Sequence, residues 1–470
     1  MQTTIGKRWV RRVDTDYVQC YTPPTTASKA WWPVQSTTGC ISNWRPTRIP
    51  GPKGRDIMDE LPVRDSSAWL GRPVWADIDL DALAHNISEL KRRAGSAQLM
   101  AVVKANAYGH GAIAVARAAL AAGAERLGVI CLDEGEELRR AGITAPILIM
   151  GFTPVSQAQR VVELSLTPTV SSQQMALALA RFAVERGVTL TIHLKVETGL
   201  NRYGLPPEQL LPLAESLRQM PGLDVEALFT HFANGDDQDK SYLRHQFETF
   251  SRVANELPWI RMRHVANTAT LIDTPELALD MVRPGIGIYG CYPSAHMQQS
   301  VDLRPTLSLK SRVARLRRLE PGESVSYART WTAARPSVVA LVMCGYGDGL
   351  RRELSNKGNV LIRSRRAPII GRVAMDMCIV DATDIPYVAL DDEVVIIGRQ
   401  REAEITVEEV AALCGTINYE ILTGITARVP RVYRRRGRIV AVQTLLEKPA
   451  VETSPDEALS PAGLGHGEPA

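Results

Sequence analysis

Apolar stretches alternate with helix-like stretches over residues 73–301. Between the apolar runs lie segments of helical periodicity, such as Ile113–Ala122 and Gln157–Leu164. About eight such units predict an α/β fold with a parallel (β/α)8 barrel of the TIM type. A doubly wound sheet would need a Gly-rich dinucleotide turn after its first strand, and the sequence has none. The predicted barrel strands are Leu99–Val103, Leu127–Cys131, Pro146–Met150, Thr167–Val170, Thr189–Val196, Leu223–Thr230, Arg263–Ala266 and Met281–Tyr289.

The chain on either side of these units has a different pattern. Val74–Leu80 alternates like a strand, and we expect it to open the barrel domain, with Asp81 capping a helix that runs to about Arg93. After Val301 helical periodicity nearly vanishes, which predicts a mostly β domain over residues 302–446. Its predicted strands include Leu307–Val313, Val338–Cys344, Val360–Ile362, Cys378–Val380 and Val394–Gly398.

Both ends of the chain lack a sustained period. Residues 1–72 contain Pro- and Thr-rich stretches, and residues 447–470 are rich in Pro, Gly, Glu and Ala. Such segments cannot bury enough apolar surface to offset the entropy lost on ordering. We therefore expect a disordered N-terminal extension and a disordered C-terminal tail.

Composition narrows the class of partner. The 470 residues carry a net charge of only +4, which gives no indication of nucleic-acid binding. Seven scattered cysteines show no CxxC and no metal-ligand spacing, which favours a reducing compartment and predicts no metal site. The sequence has neither an apolar run of 18 residues nor the apolar core of a secretory signal. We expect a cytoplasmic protein without membrane contact.

One βα unit carries an unusual lysine. The strand that begins at Leu99 ends at Lys104, and a turn rich in Gly, Asn and Ala follows. Barrel enzymes place their chemistry at the carboxyl ends of their strands. Partial desolvation there would favour the neutral amine, which can attack a carbonyl group. A lone lysine at a strand end more often simply reaches into solvent.

The eleven residues from Ala101 to Gly111 closely resemble the cofactor-lysine signature of the alanine racemase family. The resemblance runs from about Pro73 to Tyr433, with the family's motifs in order. It implies an isomerase that uses pyridoxal 5′-phosphate to interconvert L- and D-alanine, and so supplies D-alanine for peptidoglycan. It also implies that Lys104 forms a Schiff base with the cofactor and that Tyr108 binds the cofactor's phosphate.

A second stretch, His193–Gly204, resembles the family's next signature. The resemblance implies that Arg202 lies at the substrate and hydrogen-bonds the catalytic tyrosine. Lys195 would be the lysine that is often carbamylated in the family, where it braces the arginine. A carbamate supplies the negative charge that such a pair needs. The sequence departs from the family pattern with Glu197 in place of Asp and Leu200 in place of Met.

Three later strand ends add cofactor-binding residues by resemblance. His231 would orient Arg283, and Arg283 would face the pyridine nitrogen of the cofactor. Thr268 would offer its hydroxyl to the phosphate, as would the backbone amides of Gly285 and Ile286. Glycine at a strand end also permits a close approach of backbone N–H groups to a phosphate.

The β domain contributes a further set by resemblance. Tyr327 would be the second catalytic acid–base group, and a nearby guanidinium, Arg202, would favour its phenolate form. Tyr346 would line the entrance, and Tyr419 would contact the cofactor phosphate. Met375 would bind the substrate, with Asp376 beside it.

The resemblance also implies the assembly and the mechanism. Lys104 and Tyr327 would exchange protons with the substrate's Cα on opposite faces, because racemisation needs a base on each face. In the family the tyrosine comes from the partner subunit of a head-to-tail homodimer. Two alternatives share many of these motifs: a broader racemase that accepts serine, and a non-catalytic protein that binds pyridoxal phosphate. The β domain with Tyr327 argues against the latter.

Overall fold

The computed structural model of the protein describes residues 72–446. The disorder predicted for both ends of the chain falls on residues outside this range, except for Arg72. That residue is held by Asp348, whose carboxylate accepts hydrogen bonds of 2.5 and 3.0 Å from the guanidinium. Among the described residues, every helix is too short or too polar to cross a lipid bilayer.

The described chain begins with strand β1 (Val74–Asp79) and then forms a parallel barrel of eight strands, as predicted. Seven of the strands pair in chain order, and the last strand of the barrel pairs with the first. Backbone hydrogen bonds just beyond the last two strands then close the barrel, such as the one from Arg283 N–H to Ala266 O at 2.9 Å. The eight strands are β2 (Gln98–Val102), β3 (Arg126–Val129), β4 (Ile147–Ile149), β5 (Thr167–Val170), β6 (Leu190–Lys195), β7 (Leu223–Phe229), β8 (Met262–His264) and β9 (Met281–Val282).

Strand β9 is shorter than the predicted Met281–Tyr289. It ends at Val282 because Pro284 has no N–H to continue the ladder, and the chain then turns at Gly285 into a short 3-10 helix, Ile286–Tyr289. The turn keeps the backbone of Gly285 and Ile286 at the mouth of the barrel.

Helices cover the outside of the barrel, with apolar faces that pack on the strands. We expected Asp81 to cap the first helix, but Asp79 does so, and its carboxylate accepts 2.9 Å hydrogen bonds from two N–H groups of the first turn. The helical segments of this domain are α1 (Leu80–Ala94), α2 (Lys104–Tyr108), α3 (Ala112–Ala121), α4 (Leu132–Arg140), α5 (Ala158–Glu163), α6 (Gln173–Glu185), α7 (Pro207–Leu217), α8 (Ser241–Glu256) and α9 (Thr268–Asp273).

The second domain is mostly β, as predicted, with two short helices that the pattern did not predict. Ten strands form its sheet, and β11 and β12 form a separate pair. The elements are β10 (Leu307–Leu319), β11 (Ser324–Val325), β12 (Trp331–Thr332), β13 (Ser337–Val342), β14 (Asn359–Ile362), β15 (Arg365–Ile370), β16 (Cys378–Asp381), β17 (Glu393–Gln400), β18 (Ala403–Ile405), α10 (Val407–Cys414), α11 (Asn418–Thr423), β19 (Arg431–Arg435) and β20 (Arg438–Gln443).

Strand β1 belongs to this second sheet and not to the barrel domain in which we expected it. It pairs antiparallel with β10 and parallel with β19, in the interior of the ten-stranded sheet. Val74, Trp75 and Ala76 are all buried, as suits a strand that is covered on both faces. The β domain is therefore built from both ends of the described chain, and the barrel is inserted between them.

Candidate active site

A cavity of about 830 Å³ opens at the carboxyl ends of the barrel strands. Its walls come from the segments that follow β2, β3, β4, β6, β7, β8 and β9, together with α11 of the β domain. It therefore occupies the position at which TIM barrels place their active sites. The structure brings ten of the predicted site residues together here: Lys104, Tyr108, Lys195, Arg202, His231, Thr268, Arg283, Gly285, Ile286 and Tyr419.

Lys104 enters this cavity from a strained turn. The four residues that follow it, Ala105 to Tyr108, all have φ near +53°, so α2 is a turn of left-handed helix. Burial lowers the pKa of Lys104, the charge of Arg202 lowers it further, and Glu134 opposes the change. The environment therefore favours the neutral amine, which is the nucleophilic form.

Hydroxyl groups and backbone amides gather at one end of the cavity. Thr268 Oγ1 accepts hydrogen bonds from the N–H groups of Gly285 (3.0 Å) and Gly287 (3.3 Å). Burial raises the pKa values of Tyr108 and Tyr419, which keeps both phenols protonated as donors. A Cβ atom built on Gly285 would lie only 2.4 Å from the Tyr108 hydroxyl oxygen. Such a set of neutral donors around a glycine turn suits a phosphate group.

Arg283 is buried beneath the cavity and points to a histidine that we did not assign. Its Nη1 donates to His264 Nδ1 at 2.8 Å, and its Nη2 donates to the carbonyl oxygen of Thr230, also at 2.8 Å. We expected His231 to orient Arg283. Burial lowers the pKa of His231, and the charge of Arg283 lowers it further, so the two side chains are close. The hydrogen bond from Arg283, however, is accepted by His264. Burial lowers the pKa of Arg283 to about 9, which leaves it cationic at neutral pH.

A chain of buried polar groups continues from His264 through the barrel interior. His264 Nε2 lies 3.2 Å from His193 Nδ1, and His193 Nε2 lies 3.0 Å from Glu226 Oε2. Glu226 in turn accepts two hydrogen bonds, of 2.7 and 2.9 Å, from the Arg126 guanidinium. Burial lowers the pKa values of both histidines, so they are neutral. Each neutral ring then accepts one hydrogen bond and donates the next, from Arg283 to Glu226.

Lys195 lies at the end of β6, between aromatic rings. It is buried, and its Nζ lies 5.5 Å from the centre of the Tyr203 ring and 5.6 Å from that of Phe229. Burial and the charges of Arg202 and Arg283 lower its pKa to about 8. Glu197 orders the following loop, since its carboxylate accepts a 2.7 Å hydrogen bond from the N–H of Gly199.

The remaining four predicted residues, Tyr327, Tyr346, Met375 and Asp376, do not line this cavity. We call them the second half-site. Three of the side chains are exposed large groups of the β domain: Tyr327 is 71% exposed, Met375 53% and Tyr346 42%. Their segments are neighbours, because Tyr346 N–H donates to Ala374 O at 3.0 Å and Ser326 Oγ donates to Arg372 O at 2.6 Å.

The buried carboxylate of Asp348 organises this second half-site together with Arg428, which the sequence motifs did not predict. Asp348 Oδ1 accepts a 2.7 Å hydrogen bond from Nε of Arg428. The same guanidinium donates from Nη2 to Asp376 Oδ1 at 2.7 Å and to Met375 O at 3.2 Å. Arg428 lies far along the chain from both loops, and only the fold shows that it joins them.

The fold and the cavity define the class: a two-domain barrel protein with a lysine in a cavity at the carboxyl end of a strand. The sequence model of the alanine racemase N-terminal domain matches residues 78–293, and that of the C-terminal domain matches residues 306–433. The chain belongs to the alanine racemase family, which depends on pyridoxal 5′-phosphate. The family predicted from the motifs is thus confirmed.

Individual relatives agree with the family models. The alanine racemase of Desulfosudis oleivorans is 46% identical over 374 residues, which cover 76% of this chain and 96% of the relative. The alanine racemase of Desulforamulus reducens is 45% identical, in an alignment that covers 77% of this chain and 99% of the relative. The crystal structure of alanine racemase from Bacillus anthracis with bound L-Ala-P is 36% identical, with a TM-score of 0.76, and covers 80% of this chain and 99% of that chain.

Proposed function

We propose that this protein interconverts L- and D-alanine with pyridoxal 5′-phosphate and thereby supplies D-alanine for peptidoglycan. The observation that carries the proposal is the convergence of Lys104, the phosphate-suited donors and buried Arg283 on one cavity at the barrel mouth. The alignments with relatives named alanine racemase extend over nearly the whole length of those relatives, which supports the same reaction here. The cytoplasmic location expected from the cysteines stays a prediction.

The residues of the cavity fit the cofactor. Tyr108, Tyr419 and Thr268 would hold its phosphate with the backbone of Gly285 and Ile286, and Lys104 would attach to its aldehyde carbon. When bound, pyridoxal phosphate withdraws electrons from the amino acid and makes its Cα–H acidic. Arg283 stays cationic at neutral pH, so it would donate a hydrogen bond to the ring nitrogen and leave that nitrogen unprotonated.

Two bases are needed at Cα, and the chain offers both. Lys104, whose pKa is lowered, would accept or deliver a proton on one face. Tyr327 would act on the opposite face, with Arg202 beside its hydroxyl. From L-alanine, Tyr327 removes the proton and Lys104 delivers one; from D-alanine, the roles reverse.

The position of Tyr327 supports a homodimer with shared sites. The second half-site lies outside its own chain's cavity and exposes two aromatic rings and a methionine to solvent. Surfaces of this kind are typical of subunit contacts. We propose that the second half-site of one subunit completes the cavity of its partner, so that Lys104 and Tyr327 of each site come from different chains.

Carbamylation of Lys195 is part of the proposal. A pKa of about 8 leaves about a tenth of this amine neutral at pH 7, and only the neutral amine adds to carbon dioxide. The product would be an anion among the cations that now depress this pKa, and it would pair with Arg202.

Assays with purified protein test the function. We expect D-alanine to form from L-alanine, with a visible absorption band from the cofactor bound at Lys104. Tyr327→Phe should abolish racemisation but keep the band, whereas Tyr387→Phe, which changes a tyrosine that is 89% exposed in the same domain, should change neither. L-serine turned over as well as L-alanine would favour the broader racemase. A band without turnover of either amino acid would favour the non-catalytic alternative.

A further inference from the structure

The left-handed turn after Lys104 needs an external support. Its four residues, Ala105 to Tyr108, include no glycine, yet all have φ between +52° and +53°. L-residues other than glycine normally visit this region one at a time, because Cβ then crowds the following carbonyl oxygen. A run of four persists only where surrounding groups hold it.

Glu134 holds the beginning of the turn. Its Oε1 accepts a 2.7 Å hydrogen bond from the N–H of Ala105, the residue directly after Lys104. Its Oε2 accepts a 2.8 Å hydrogen bond from the N–H of Ile130, just beyond strand β3. One carboxylate from the first turn of α4 thus joins the segments that leave two neighbouring barrel strands.

The end of the turn is held separately. Arg431, a buried residue of strand β19, donates from Nε to the carbonyl oxygen of Gly109 at 3.0 Å. The side chain of Asn106 accepts a 2.9 Å hydrogen bond from the N–H of Ala112, at the start of α3. Because the far end has its own supports, a change at Glu134 should release mainly the beginning, where Lys104 lies.

We propose that Glu134 is a positioning residue: by clamping the N–H groups of Ala105 and Ile130, it fixes the direction in which Lys104 enters the cavity. The proposal rests on the proposed function in so far as Lys104 attaches the cofactor.

Beyond the effect of burial, Arg202 lowers the pKa of Lys104 and Glu134 raises it. Lys195 and His231 also face Lys104 across the cavity, close enough for its charge to lower their pKa values. The clamp therefore also moderates how neutral the amine becomes.

Glu134→Gln tests the clamp with little change of shape. A carboxamide has one acceptor oxygen and one NH2 donor, so it can accept a hydrogen bond from only one of the two N–H groups and places its NH2 donor against the other. Asp133→Asn is the matched control, because Asp133 is an exposed acid in the same first turn of α4. Both substitutions remove one negative charge from this turn, but only Glu134→Gln breaks the clamp.

Amide hydrogen exchange of the cofactor-free protein is the first readout. Exchange in a peptide that covers residues 104–109 should become at least about tenfold faster in Glu134→Gln and stay unchanged in Asp133→Asn. Unchanged exchange in Glu134→Gln would overturn the proposal. If that variant does not fold, Glu134→Asp replaces it with the same expectation, because the shorter side chain cannot reach both N–H groups.

Two further readouts separate positioning from a purely structural role. The dissociation constant of pyridoxal 5′-phosphate should rise at least about tenfold, and kcat should fall more than KM changes. The limb of the pH profile that belongs to Lys104 should move to lower pH, because removing the Glu134 charge lowers the pKa of the amine further. An unmoved limb with normal cofactor affinity would contradict the proposal. Exchange needs neither cofactor nor substrate, so a failure of the proposed function would leave the exchange result intact.

Discussion

The carboxylate of Glu226 anchors the buried relay that leads to Arg283, and its removal gives a quantitative test. Glu226 is only 8% exposed and accepts hydrogen bonds from Arg126 and from His193. Burial alone would raise the pKa of Glu226, but the hydrogen bonds from His193 and Arg126 and the charge of Arg126 lower it to about 2. The folded protein therefore stabilises the ionised form of the Glu226 carboxyl group relative to the protonated form.

The magnitude follows from proton linkage. A pKa of about 2 in place of the ordinary 4.5 corresponds to about 3 kcal/mol of stability at neutral pH. Because the folded-state pKa is the lower one, this contribution is present above pH 4.5 and is lost as the pH falls towards 2. Glu226→Gln also leaves the Arg126 guanidinium without its carboxylate, a kind of loss that costs about 3–5 kcal/mol in buried pairs.

We therefore expect Glu226→Gln to lower the free energy of unfolding by about 3 kcal/mol at pH 7 and by about 2 kcal/mol at about pH 3.5. Urea denaturation followed by circular dichroism, at one protein concentration, measures both values. Glu185→Gln is the control: Glu185 forms an exposed pair with Arg181 at 3.6 Å on α6, and its loss should cost less than about 0.5 kcal/mol. A loss below about 1 kcal/mol for Glu226→Gln, or one that does not narrow at acid pH, would refute the linkage argument.

Three other predictions concern the cavity and the assembly. Gly285→Ala places a Cβ atom 2.4 Å from the Tyr108 hydroxyl oxygen and should weaken pyridoxal phosphate binding about tenfold or more, by absorbance titration, since a hydrogen bond to a charged group contributes about 1.5–3 kcal/mol; unchanged affinity would show that this hydroxyl is not needed. Mixing inactive Lys104→Ala and Tyr327→Ala chains should restore up to about a quarter of the wild-type activity per chain, as half of the dimers each regain one site; no recovery after verified subunit exchange would contradict shared sites. The carbamate on Lys195, followed by ¹³C NMR with labelled bicarbonate, should increase as the pH rises from 7 through its pKa of about 8, and a signal that persists in Lys195→Ala would assign it elsewhere.

The barrel could be predicted because its evidence is local, whereas the place of β1 could not. Each barrel strand is a short apolar run followed by a helix, and consecutive parallel strands with such crossovers pair in chain order. Val74–Asp79 is also a short strand followed by a helix, but its partners are β10 and β19, more than 200 residues further along the chain. The hydrophobic pattern indicates where a strand lies, but it carries no information on which distant strand completes the ladder.

The site divides in the same way. Lys104 and Tyr108 lie in one contiguous motif, so their juxtaposition follows from a single turn. The partner of Arg283 is set by how three strand ends meet. His231 and His264 both end barrel strands, and only the geometry of the closed barrel places the Nδ1 atom of His264 2.8 Å from the guanidinium.

The second half-site shows why a sequence motif and a working site are different things. Tyr327, Tyr346 and Met375 are exposed and lie outside their own chain's cavity, so the barrel alone presents one base to the substrate. The loops that carry Tyr346 and Met375 are nevertheless fixed in the single chain, because Arg428 joins the carboxylates of Asp348 and Asp376. In the proposed dimer these loops would meet the partner's cavity already ordered, and little conformational entropy would be lost on association. Racemisation would then depend on subunit contact through the position of Tyr327, with these loops already in place.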